Sequence, residues 1–240
     1  MTTDEPLFLA ACRGQVTPRR PIWLMRQAGR ILAPYRQLKE QVGSIERMFR
    51  DPEIATKVTL MPVEMLGVDA AILFADIFTP VDPMGCSVTF NPGPVLEFHV
   101  SGPEDVARLS TFDSESELSY VADTIGRIRS QLPDSVPLIG FAGSPFTLAT
   151  YMAETGGHGR EFTGLRRLLH TDSATALALI DKLTEVAIDY LSMQVSAGAQ
   201  ALQLFDTWIG SLSLPDFESI ALPRLQRIFG HLSTLGVPTI

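Results

Sequence analysis

Short apolar blocks recur along the chain with helical stretches between them. Residues 21–25, 69–76, 136–141, 199–205 and 237–240 each read as a strand, and the run Ile22-Trp23-Leu24-Met25 has the look of a buried one. Asp51-Pro52-Glu53 supplies an N-cap, a proline at the first helical position and an acid in the first turn, so it opens a helix toward Leu66 that Pro62 should kink. Residues 114–132 form an amphipathic helix pattern stopped by Pro133. Residues 175–196 form the longest one, closed by Gly198, and residues 215–235 end before Gly236. Strand and helix in alternation mean a parallel α/β sheet or barrel.

Length and composition fit one soluble domain over residues 1–240, with 45% hydrophobic residues. No apolar run reaches the roughly 18 residues of a membrane span. Residues 1–11 are acidic and then briefly apolar, unlike a signal peptide. Cys12 and Cys86 have no metal-like spacing and read as reduced thiols, which points to the cytoplasm.

Charge changes the picture. The chain carries a net −8, yet residues 13–39 hold seven Lys or Arg and no Asp or Glu. Arg26 and Arg30 follow the run 21–25 around Gly29, at the end of a strand where α/β proteins bind ligands. Two guanidinium forks there suit carboxylate or phosphate. A solvated basic loop or a nucleic-acid patch is the plainer reading of such a run, but Trp23 and Met25 pull it into a packed surface. The acidic remainder would also repel a nucleic acid.

Asp76 closes the apolar run 70–75. From the residues alone it reads equally as a satisfied structural carboxylate and as an anion in a barrel mouth. Gly143-Ser144-Pro145 leads from a strand into a helix that reaches Tyr151, and Asp206-Thr207-Trp208 ends the run 199–205. His99, His158, His170 and His231 show no metal-ligand spacing. Gly156-Gly157-His158-Gly159 follows no strand and so makes no dinucleotide loop.

Trp23-Leu24-Met25-Arg26-Gln27-Ala28-Gly29-Arg30, with Tyr35-Arg36, resembles the N-terminal signature of the uroporphyrinogen decarboxylase family. The likeness continues through residues 70–76, through Gly140-Phe141-Ala142-Gly143-Ser144-Pro145-Phe146-Thr147-Leu148 to Tyr151, and through Leu202-Gln203-Leu204-Phe205-Asp206. It implies a (β/α)8 TIM barrel, of which this chain would carry about the first four to five strands, the C-terminal part with its late Gly-His-Gly motif being absent. It implies cofactor-free, metal-free decarboxylation of the four acetates of uroporphyrinogen III to coproporphyrinogen III, a step of haem biosynthesis. The partners would be this small-molecule substrate and a second copy in a homodimer, with no nucleic acid and no membrane.

Residue by residue, the resemblance makes Asp76 the acceptor of the substrate's pyrrole N–H groups and gives Arg26 a catalytic as well as a binding role. Gln27, Ala28, Gly29, Arg30, Tyr151 and Thr207 become substrate contacts. Thr207 stands where the family usually has Ser, Lys39 where many members have Arg, and Trp208 is a variant within its motif. The alternatives are an inactive barrel fragment and a zinc-dependent methyltransferase of the same superfamily.

Overall fold

The computed structural model describes residues 5–25, 27–29, 31–91, 93–154 and 163–240. Its strands are β1 (Ala71–Ile72), β2 (Val88–Phe90), β3 (Pro94–Leu96), β4 (Leu138–Gly143) and β5 (Ala201–Phe205). β1, β4 and β5 form one parallel sheet in that order, while β2 and β3 pair as a separate antiparallel hairpin. The register places Ala71 opposite Leu138 and Gly143 opposite Phe205. Leu202 also bridges Thr239 in parallel, and the Ile240 N–H donates to the Leu202 carbonyl at 2.9 Å. The stretch 237–240 therefore lies where a further strand was expected.

The stretch 21–25 does not form the buried strand its apolar run predicts. Ile22, Leu24 and Met25 are 58%, 47% and 62% exposed. Ile22 meets the residues just before β1, accepting the Asp69 N–H at 2.7 Å and donating its own to the Asp69 carboxylate at 2.7 Å. Trp23 alone turns inward, its ring edge-on to Phe8. The hairpin β2–β3 was not foreseen, although the turn residues Asn91-Pro92-Gly93 between two short β-prone runs are its usual signal.

Helices fill the connections. α1 (Leu7–Cys12), α2 (Ala33–Val42), α3 (Ile45–Arg50) and α4 (Pro52–Leu66) precede β1. α4 starts as its sequence predicts, with the Asp51 carboxylate accepting the N–H groups of Glu53 and Ile54, and it runs on past Pro62 to Gly67 at φ 63°. α5 (Pro103–Arg108), α6 (Ser114–Glu117) and α7 (Ser119–Arg129) lead to β4. The single helix expected over 114–132 is thus broken at Leu118. That residue leaves helical geometry (φ −117°, ψ 29°), and its side chain is buried in the core.

α8 (Pro145–Met152), α9 (Gly164–Thr171) and α10 (Ser173–Ser196) join β4 to β5. α11 (Leu214–Asp216) and α12 (Leu222–Leu232) follow, separated by a π-helical turn at Phe217–Ala221. Pro223 has no N–H to offer the Ser219 carbonyl, which explains why the helix expected over 215–235 is not regular throughout.

Every residue of β4 is buried, as a parallel strand covered on both faces should be. Gln194 of α10 ties the helix to this strand. Its side chain accepts the Phe141 N–H at 2.8 Å and donates to the Phe141 carbonyl at 2.9 Å. Gly140 is what lets it approach, because a Cβ there would stand 2.4 Å from Gln194 Oε1. The main core joins the sheet to α7 and α10 through Ile125, Ile128, Leu138, Ile139 and Leu191. A smaller cluster under α2, α3 and α4 holds Leu32, Tyr35, Met48 and Val58.

Candidate active site

The carboxyl ends of β1, β4 and β5 open onto one cleft of about 490 Å³. Past β1 the chain keeps its pairing through Leu73 N–H to the Ile139 carbonyl (3.0 Å), and the Phe74 N–H goes to Thr59 Oγ1 (3.0 Å). Ala75 and Asp76 then leave the sheet. Asp76 closes a tight turn: its Oδ1 accepts the Phe78 N–H at 2.9 Å, and its own N–H donates to Thr79 Oγ1 at 3.3 Å. The turn is self-supporting, so the half-buried carboxylate is fixed on the cleft wall.

Tyr151 reaches the cleft from α8. Ser144 starts that helix by accepting the Thr147 N–H at 3.1 Å, while its own N–H donates to the Phe205 carbonyl at 2.8 Å. The ends of β4 and β5 are thereby locked together. The Tyr151 ring is held edge-on between Phe78 (5.3 Å) and Trp208 (6.0 Å). Thr207, exposed at the end of β5, lines the same cleft.

Its neighbour Asp206 turns the other way. Asp206 Oδ1 accepts the Thr147 hydroxyl at 2.7 Å, and that same hydroxyl oxygen accepts the Trp208 N–H at 3.2 Å. Burial pushes the Asp206 carboxyl above the usual range, opposed by Ser144, Thr147 and the backbone of Ile209. Asp206 is therefore a buried clasp between α8 and β5.

Gln27 and Ala28 line the cleft beside Met25; Gly29 is not among the lining residues, though its carbonyl anchors the Leu32 N–H at 3.0 Å. The Gln27 side chain is occupied at both ends. Its Nε2 donates to the Ala70 carbonyl at 3.1 Å and its Oε1 accepts the Leu24 N–H at 3.2 Å. It fastens the arginine-rich stretch to the start of β1. Arg19 does so too, as a bidentate partner of Asp69, whose carboxylate also takes the Ile22 N–H at 2.7 Å. The Arg19 guanidinium, above all, holds the Asp69 carboxyl below its ordinary value. Arg26, Arg30 and the loop holding His158 lie outside the described residues.

The structure thus brings Asp76, Tyr151, Thr207, Gln27 and Ala28 to one place. It adds a wall the sequence reading missed: Tyr35, Phe49, Phe74 and Pro94, from α2, α3, the end of β1 and the hairpin. Phe74 packs edge-on against Tyr35 (5.9 Å) and tilted against Phe49 (4.9 Å). Nothing in the spacing of Phe49 or Pro94 marks them, since they reach the cleft only through tertiary packing. Arg36 lies on the exposed face of α2 with Nη1 on the Ile31 carbonyl (3.1 Å).

Cys12 and Cys86 are free thiols, one exposed and one buried. Among the described residues no group of three or more His, Cys, Asp or Glu is arranged to hold a metal, and no helix is long and apolar enough to cross a membrane. A cleft of aromatic and aliphatic walls with one fixed carboxylate suits a ligand whose broad apolar body presents N–H donors to that carboxylate.

Comparisons with known proteins point the same way. The family model described as uroporphyrinogen decarboxylase (URO-D) matches residues 3–240. The uroporphyrinogen decarboxylase of Syntrophotalea carbinolica is 46% identical over 240 residues, covering 100% of this chain and 69% of that protein. That of Citrifermentans bemidjiense is 45% identical over 233 residues, covering 97% of this chain and 68% of its own length. Among solved structures, a methyltransferase from Methanosarcina mazei superposes with a TM-score of 0.77 at 23% identity, over 98% of this chain and 68% of that one. At that identity the likeness speaks for the fold alone.

Proposed function

The chain belongs to the uroporphyrinogen decarboxylase family, and on that premise we propose how its cleft works. Uroporphyrinogen III lies over Asp76, and its four acetate side chains are converted to methyls, giving coproporphyrinogen III in tetrapyrrole biosynthesis. The observation that carries this reading is a single carboxylate, Asp76, fixed by its own turn in an aromatic cleft.

The chemistry needs little more. A pyrrole ring carbon takes up a proton and becomes cationic. The bond to the carboxyl carbon breaks, carbon dioxide leaves, and its electron pair neutralises the ring. Transfer of a proton to the resulting methylene and loss of the ring proton restore the aromatic system. The net change is one acetate and one proton converted to one methyl and one carbon dioxide. The pyrrole is its own electron sink, so the reading assigns no cofactor and no metal.

Asp76 gathers the pyrrole N–H groups and, as a carboxylate, stabilises the cation once it forms. Arg26 and Arg30 hold substrate carboxylates, Arg26 at the reacting acetate. Tyr151 and Thr207 orient the substrate from the other side of the cleft. Ala28 and Gly29 keep backbone close to it, and the Gln27 side chain, tied to Ala70 and Leu24, holds that backbone in place.

Parallel neighbours in consecutive order, β1, β4, β5 and then Thr239, support an arc of a (β/α)8 barrel made by a single domain over residues 1–240. The chain spans roughly two thirds of the length of its relatives, in keeping with four to five strands. We also assign a homodimer in the cytoplasm; the free thiols suit a reducing compartment. The methyltransferase alternative has only a shared fold behind it. An anaerobic assay that counts carboxylates lost from uroporphyrinogen, run beside Asp76→Asn, tests the reading.

A further inference from the structure

Asp76 lines two cavities. One is the cleft; the other is a chamber of about 30 Å³, which Asp76 shares with Thr79, Glu46, Arg50, Asp82 and Tyr120. Phe49 and Phe78 also line both. Asp76 and Thr207 stand among mostly aromatic and aliphatic residues in the cleft, whereas the chamber places Asp76 beside five other polar side chains, with Val88 and Phe90 completing its wall. Its volume is enough for roughly two water molecules, and its lining supplies the polar partners that such waters need.

The chamber has an outer and an inner end. At the outer end Arg50 meets Asp82 at 2.6 Å, with side chains 56% and 32% exposed, so bulk water reaches this pair. At the inner end Thr79 Oγ1 accepts the Asp76 N–H. Tyr120, mostly buried, lines the same chamber. Burial pushes its pKa up, with Arg50 pulling the other way and Asp82 adding to the rise, so it is a neutral donor and acceptor at working pH. Glu46 is fixed by the Phe90 N–H at 2.8 Å and the Ser44 hydroxyl at 3.1 Å. The fully buried Tyr190 hydroxyl stands beside Thr79 without a well-directed hydrogen bond.

We propose that this chamber is a hydrated back entrance through which Asp76 receives the proton that each decarboxylation consumes. The inference rests on the decarboxylase reading above. Each acetate lost takes up one net proton, while a bound macrocycle covers the cleft and the reacting face stays dry. Hydronium in the chamber passes a proton to the Asp76 carboxylate and becomes water. Asp76 gives that proton to a pyrrole ring carbon and is left as a carboxylate beside the cation it has made. Carbon dioxide then leaves, and the product carries one hydrogen more in place of the lost carboxylate. Tyr120 and the Asp82-held Arg50 act through the chamber water, as positioning residues.

The test uses the full chain with uroporphyrinogen under anaerobic conditions, in water and in deuterium oxide. Tyr120→Phe and Arg50→Gln should each lower kcat at least roughly fivefold, leave KM unchanged and enlarge the solvent isotope effect on kcat, with Arg50→Lys recovering much of the loss. If kcat and the isotope effect stay within about twofold of wild type in both variants, the back entrance is wrong. A lower kcat with an unchanged isotope effect also overturns it, because a merely structural role would do that. Should Arg50→Gln fail to fold, Tyr120→Phe decides alone. A wild-type chain that decarboxylates and loses this activity in Asp76→Asn keeps the parent reading whatever the chamber variants do; a wild type without turnover sinks both.

Discussion

Asp76 holds its own turn: its Oδ1 accepts the backbone N–H of Phe78 at 2.9 Å, two residues on. The group assigned to the substrate is therefore also the group that shapes the loop carrying it. An amide can make the same contact through its oxygen. Asp76→Asn should melt close to wild type, while Asp76→Ala, which leaves the Phe78 N–H without its acceptor, should lose about 1–2 kcal/mol. Thermal unfolding of the two variants checks this. Equal losses in both would show that the carboxylate charge, rather than the acceptor, holds the turn.

Arg26 is expected to contribute one charge-assisted contact to a substrate carboxylate, on the order of 1.5–3 kcal/mol. Arg26→Ala should cut kcat/KM by roughly a power of ten or more, read by steady-state kinetics. An unchanged value would remove the anion site from this stretch.

Two glycines should respond in opposite directions. A Cβ on Gly140 would meet Gln194 Oε1 at 2.4 Å, so Gly140→Ala pushes apart the paired bonds between Gln194 and Phe141. A loss of roughly 2–4 kcal/mol in denaturant unfolding is expected. Gly126, inside α7, has nothing within 4 Å of its missing Cβ. Gly126→Ala should gain about 0.5–1 kcal/mol, because a helical glycine costs that much backbone entropy.

Asp206 gives a pH signature. Burial raises its carboxyl above the ordinary 3.8, so the folded chain binds this proton more tightly than the unfolded one. The resulting stabilisation is complete below the ordinary value and is lost as pH rises through the raised one. Asp206→Asn carries no titrating group and can still accept the Thr147 hydroxyl. Its melting temperature relative to wild type should therefore climb as pH rises above the ordinary carboxylate value. A difference that falls as pH rises would contradict the assignment.

Strands 136–141 and 199–205 were legible because a parallel strand buried on both faces writes itself as a continuous apolar run. Asp76 and Thr207 lie just past the carboxyl ends of such runs and Tyr151 lies on α8, and their assignment to a site came from the family resemblance rather than from these patterns. The stretch 21–25 misled for a related reason. Apolar residues that face a cleft or the surface around it look the same in sequence as residues that face a core, and Met25 lines the cleft while more than half exposed. Asp206 appeared in the sequence as the last residue of a family motif and the neighbour of Thr207, with no sign of its clasp role. Its partner Thr147 lies 59 residues away, beyond the reach of any local pattern. The Arg19–Asp69 pair, 50 residues apart, was hidden in the same way.

The most direct measurement is the anaerobic conversion of uroporphyrinogen by this chain, with products separated by the number of carboxylates they retain, beside Asp76→Asn. The account predicts stepwise loss of four carboxylates by the wild type, and turnover lower by roughly a hundredfold in a variant that still folds. Near-normal turnover in Asp76→Asn would contradict the role given to this carboxylate, and no product from either chain would contradict the function itself.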